Sequence, residues 1–440
     1  MLDNLPVELI EKIVSHVDKS SLVNLNLVNK KYNYLVNPKL YNYIEVNCDN
    51  VRSSDEFILI SNIYSLKSLF KKLNHKNCQY VYKLIFKNLP DLPEDEIFQY
   101  FKHIFPYFVN LMELKWYSKY NLDWQLINLL PSTKLCILNG NFKNFQLLDY
   151  KFNNICSLSL SGFKNFNNVD IDLINFPHLS KLKISKNTLV HVEDPLVNVF
   201  NNTNKLKLSN LTLENLYLTS SDVMILMDKI DFPSITDIKL LNIYEILNHN
   251  NLLDNFIPHK LNSLHMDMLN NEYNNHYIFN FLQQTSIDEL KITINLNNNL
   301  QSNLISLLSI LDAKISHLDL NFNIFSHNKA SILNYLNPIQ LLKIIENFQY
   351  LQSLSMPLFY KNLNHLNLNL PRLNNLQFNI IDIYKLNNTL INYETTNDIS
   401  IHVFNHILRS VGHLDYLTLK LEQYHVFDVN SQIIRVVNSI

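Results

Sequence analysis

Glycine is nearly missing from this chain. Its 440 residues hold three, at positions 140, 162 and 412. No two are close enough to form a phosphate-cradling turn. That excludes the P-loop, the dinucleotide fingerprint and the kinase glycine loop together, because each needs backbone approach that clustered glycine permits. Cysteine is also sparse. Cys48, Cys78, Cys136 and Cys156 are widely spaced and form no CxxC pair, which reads as reduced thiols in an intracellular protein. Charged residues make up 17% and sum to −2, so nothing marks a nucleic-acid or membrane-surface binder. No apolar run reaches 18 residues, and Asp3 and Glu8 stand where a signal peptide carries basic residues. The expectation is a soluble chain in the cytoplasm, the nucleus or both, with no membrane and no nucleic acid as partner. Asparagine fills the composition instead, at about 15% of residues, beside abundant leucine.

The start of the chain is helical. Residues 5–17 place Leu9, Ile10, Ile13, Val14 and Val17 at i, i+3, i+4 spacing, a single apolar stripe. Asn4 is suited to cap this helix, and Pro6 fits its first turn. Ser20 or Ser21 would cap a second helix through Leu22, Leu25 and Val28. A third is expected over 31–36, ended by Asn37-Pro38. Three short helices enclose little core, so the unit either docks onto a partner or caps a larger domain.

Leu5-Pro6-x-Glu8-Leu9-Ile10-x-x-Ile13, then Asp18-x-x-x-Leu22-x-x-Leu25-x-Leu27-Val28-Asn29-Lys30-Lys31-Tyr32, then Pro38-x-Leu40-Tyr41, resembles the F-box motif. Tyr32 and Tyr41 stand where the family usually has Trp. The resemblance implies docking on the Skp-type adaptor of a cullin–RING ubiquitin ligase, and through it on the cullin. Leu5, Pro6, Leu9, Ile10, Ile13, Leu22, Leu25, Val28 and Tyr32 would then divide between the domain's own core and that interface; the sequence does not assign each one.

From about residue 80 the recurrent unit is Leu-x-x-Leu-x-Leu. Examples are Leu111-x-x-Leu114-x-Trp116, Ile155-x-x-Leu158-x-Leu160, Leu179-x-x-Leu182-x-Ile184, Leu213-x-x-Leu216-x-Leu218 and Ile235-x-x-Ile238-x-Leu240. It continues from Leu261-x-x-Leu264-x-Met266 to Leu414-x-x-Leu417-x-Leu419, at irregular intervals. Asn187 and Asn323 follow two copies where a leucine-rich repeat turns out of its strand. A lead-in of aromatic then Pro precedes others, as in Phe176-Pro177 and Phe232-Pro233, and helices are expected over 222–230, 304–311 and 339–348. Leu206-x-Leu208 and Leu366-x-Leu368 read as extra strand-like pieces.

The pattern resembles the F-box/leucine-rich-repeat family in the Asn-rich style of some fungal members. The fold class expected is an α/β repeat: a three-helix F-box, then an irregular leucine-rich-repeat solenoid with a parallel strand wall and outer helices. The boundaries are 1–45 for the F-box, 46–79 for a linker or transition, 80–425 for the solenoid and 426–440 for a C-terminal cap or tail.

Outward strand positions are the candidate surface for a protein target. Lys181 and Lys183, joined by Lys205 and Lys207, make a basic spot suited to an acidic or phosphorylated peptide; Lys on a solvated face is the plain alternative. Tyr117, Tyr217 and Tyr416 are candidate anchors or ordinary surface packing. His402 and His406 lie at i, i+4 but have no acidic or Cys companions, so no metal site is expected. With no catalytic constellation and no cofactor motif, the chain is expected not to be an enzyme. It would select targets for ubiquitin transfer, or alternatively serve as a non-degradative scaffold that binds the adaptor without cullin.

Overall fold

The computed structural model describes residues 5–47, 58–60, 64, 65, 68, 75–87, 89, 94–117, 122–131, 133–138, 142–143, 151–161, 173–186, 196–200, 204–245, 260–268, 280–295, 305, 308, 309, 311, 315–323, 338–359, 370–381, 416–424 and 429–437. The chain divides into two compact units. The first is Met1–Asp231 with Tyr244–Ile246, and the second is Phe232–Ile243 with Leu247–Ile440. The opening helices share the first unit with the strands that follow.

That unit opens with α1 (Val7–His16), α2 (Lys19–Asn26) and α3 (Lys30–Tyr41). Strands follow as β1 (Tyr43–Val46), β2 (Ile58–Ile60), β3 (Lys83–Phe86) and β4 (Glu113–Trp116), with α4 (Glu94–Ile104) between β3 and β4. Next come β5 (Leu122–Asp123), β6 (Thr133–Leu138), β7 (Phe142–Lys143), β8 (Ile155–Ser161), β9 (Lys181–Ser185), β10 (Asn210–Leu218) and α5 (Ser220–Lys229). Apart from β5 and β7, which pair with each other, neighbours lie side by side in the order β2-β1-β3-β4-β6-β8-β9-β10, all parallel. Parallel neighbours need a crossover, and the intervening turns and helices supply it.

The second unit contains most of β11 (Asp237–Glu245), then β12 (Lys260–Met268), β13 (Ser286–Asn295) and β14 (His317–Asn323). After them come α6 (Pro338–Ile345), β15 (Ser353–Phe359), β16 (Asn375–Ile381), β17 (Tyr416–Tyr424) and β18 (Val429–Val437). Pairing from β11 to β17 is sequential and parallel, whereas β18 folds back antiparallel on β17.

Strand register keeps step with the leucine motif. Leu84, Leu114, Leu135, Leu158, Leu182 and Leu211 are successive partners across the first unit. Ile238, Leu264, Leu290, Leu318, Leu354, Leu376 and Leu417 are successive partners in the second. Except for Leu417, whose side chain lies outside the described ones, all of these are buried. A period of two in a strand puts such residues on one face, where no single strand can cover them, so burial comes from neighbours.

Two recurring local devices fix the entry to several of the strands. Phe108, Phe152, Phe176, Phe232 and Phe348 are buried, and each accepts at its carbonyl the N–H of the apolar residue three places on, from Leu111 to Leu351. Phe176 and Phe232 are followed by Pro, and before β16 the buried Leu370, followed by Pro371, accepts the Leu373 N–H in the same way, so neither the aromatic nor the Pro is constant in the lead-in. The second device is hydroxyl bonding between neighbours. Ser180 Oγ donates to the Cys156 carbonyl, Ser209 Oγ to that of Ser180, and Ser316 Oγ to that of Asp288. These occupy one position of the motif, just after its first apolar residue. Asn110 and Asn154 likewise donate to backbone carbonyls of the preceding turn. Asn323, expected at a turn, is a strand residue paired with Asn295, and Asn187 lies outside the described residues.

The remaining differences have local causes. Within the stretch 46–79, read as a linker or transition, β1 runs to Val46 and Ile58–Ile60 pairs beside it. Ile44 and Val46 are fully buried, which gives these residues a place in the sheet. In β10 the frame lies five residues upstream of expectation. Leu182 pairs with Leu211 and Ile184 with Leu213, so the unit is Leu208-x-x-Leu211-x-Leu213, and Leu208 belongs to it instead of to an extra piece. Leu216 and Leu218 are buried too, past Asn215, whose φ of 57° turns the strand while its side chain donates to the Lys186 carbonyl. Two overlapping copies of the motif compete there, and pairing with β9 selects one.

Candidate functional site

Three capping arrangements build the opening helices. α1 starts after Pro6, whose carbonyl accepts from the Leu9 and Ile10 N–H groups. Pro6 is thus the cap and not a first-turn residue, while Asn4 lies outside the described residues. α2 is capped by Asp18, not by Ser20 or Ser21. The Asp18 carboxylate accepts from the Ser21 N–H at 2.8 Å and from both serine hydroxyls, which holds it well below the usual carboxylate range. A carboxylate outcompetes a hydroxyl there because it can take all three bonds and favours the positive end of the helix. α3 is capped by Asn29, which accepts from the Tyr32 N–H at 3.0 Å.

α3 also runs past the expected stop, with Pro38 inside it. The carbonyl that loses its donor belongs to Tyr34, a strongly exposed residue, so the break falls on the solvent side of the helix. Beyond Pro38 the last turn is held twice over. Leu40 is buried, and the Lys39 ammonium donates to the carbonyls of Val14, Ser15 and Val17 at the end of α1. Tertiary contacts override a local breaker here.

Ile10, Val14, Leu22, Tyr32, Leu35, Val36 and Leu40 form one buried cluster, with Leu5, Val17, Leu25 and Tyr41 packed around it. Lys19 joins the cluster to the sheet. It is buried, and its ammonium donates to Asn42 Oδ1 at 3.2 Å and to the Tyr43 carbonyl at 3.4 Å. Burial, then repulsion from Lys39, pushes its pKa down to about 8. The Asn42 carbonyl in turn accepts from the Tyr82 and Lys83 N–H groups where β3 begins.

The nine residues of the opening motif therefore separate. Ile10, Leu22 and Tyr32 are core, and Leu5 and Leu25 are half-buried. Pro6, Leu9, Ile13 and Val28 are exposed, Val28 by 64% and Leu9 by 48%. Leu9 and Ile13 lie one turn apart on α1, beside the stripe that carries Ile10 and Val14. Val7, Val23, Leu27 and Tyr34 are exposed as well and were missed. The signal lay in α1 having more apolar positions than one face can bury. The three small helices thus carry many apolar side chains on their outside as well as in their core.

The strand-face candidates are dispersed. Lys181 and Lys183 lie together on β9, and Lys183 pairs with Glu214 at 2.6 Å. Lys205 and Lys207 do not join them on that strand. They flank Leu206, which bridges to Ile230 at the end of α5. Tyr117 follows β4 directly, and Tyr217 stands beyond the left-handed Asn215, outside the stretch of β10 paired with β9. Tyr416 is on β17. His402 and His406 lie outside the described residues. Among the described residues no cluster of His, Cys, Asp or Glu is arranged to hold a metal, and no helix is long and apolar enough to cross a membrane. The buried Cys78 thiol is pushed up to about 12 by burial and is not a nucleophile at neutral pH.

No curated protein matches the chain. Residues 2–40 match the model of the F-box domain, the segment whose helices have a core of their own and an apolar outside. The chain carries an F-box domain at its N-terminus, and F-box domains bind Skp-type adaptors.

Proposed function

We propose that this chain is the substrate-recognition subunit of an SCF-type (cullin–RING) ubiquitin ligase. Its F-box domain docks the Skp-type adaptor and through it the cullin, and its strand face holds the target. One observation carries the reading. Leu9, Ile13, Leu27 and Val28 remain exposed on helices whose core is already filled by Ile10, Val14, Leu22 and Leu40. Apolar side chains left over after the core is complete have a partner as their remaining use.

Behind the F-box we read leucine-rich repeats of a fungal, Asn-rich style. Support comes from the Leu-x-Leu register kept from strand to strand, the Phe turn before five of the strands and the serine bonds between neighbours. The chain contributes proximity instead of chemistry. It raises the effective concentration of a target lysine beside the charged conjugating enzyme. Affinity purification of the full chain tests this. Adaptor and cullin together support the ligase reading. Adaptor in the absence of cullin replaces it with a non-degradative scaffold, and capture of neither removes both.

A further inference from the structure

We draw no further inference here: the strongest candidate, the exposed apolar patch of Tyr82, Val109 and Met112 where the chain enters β3 and β4 and the Met112 N–H donates to the Tyr82 carbonyl, carries none because nothing in the structure shows what covers it.

Discussion

Leu9→Asp with Ile13→Asp is the perturbation that best separates docking from folding. Leu9 is 48% and Ile13 40% exposed in the free chain. About half of each side chain is thus still available to a partner, and full burial of Leu or Ile contributes roughly 1.5–3 kcal/mol. Losing that remainder removes about 1 kcal/mol per side chain, or about 2 kcal/mol for the pair. Placing two carboxylates against an apolar adaptor surface adds at least the roughly 1–3 kcal/mol each that a neutral polar group costs on mutational scales. The sum is about 4 kcal/mol or more, and at 1.4 kcal/mol per factor of ten that is about a thousandfold in Kd. The free chain should change little, since Ile10 and Val14 keep the core. Calorimetric titration of purified adaptor into the double variant measures the loss, and a thermal melt of the same sample checks the fold. Ile10→Asp is the contrasting control, because Ile10 is 1% exposed and its replacement should unfold the helices. Wild-type affinity in a folded double variant would refute the assignment of this face.

Two further outcomes follow from the interior. Lys19 has a folded pKa of about 8 against an ordinary value of 10.5, so between these the unfolded chain holds more protons. Stability should therefore rise with pH across that window, and denaturant melts from pH 8 to about 10 should show a flatter slope in Lys19→Met. Trp116 is 1% exposed and packs on Phe86 at 5.1 Å and Phe101 at 5.6 Å. Trp116→Ala should destabilise the first unit by about 3–5 kcal/mol in a denaturant titration, and a loss below about 1 kcal/mol would contradict the packing described.

The sequence by itself determined the kinds of element and their chemistry. Leu9, Ile10, Ile13 and Val14 at helical spacing wrote an amphipathic α1, and Leu-x-x-Leu-x-Leu wrote strands that cannot bury themselves, because spacing along the chain directly sets which face a side chain takes. Tertiary structure decided everything that depends on a neighbour. Whether Ile10 or Leu9 is core follows from where α3 packs. α3 crosses Pro38 because Leu40 and Lys39 hold its far end to α1. The frame of β10 follows from β9, since residues 208–218 contain two copies of the motif and only pairing across the sheet distinguishes them. Lys183, read as an open charge, is tied to Glu214, a residue 31 positions away that the register of two adjacent strands brings to 2.6 Å. Local periodicity is a property of one segment, whereas register, burial and charge pairing belong to two segments at once, and a linear pattern does not record which two will meet.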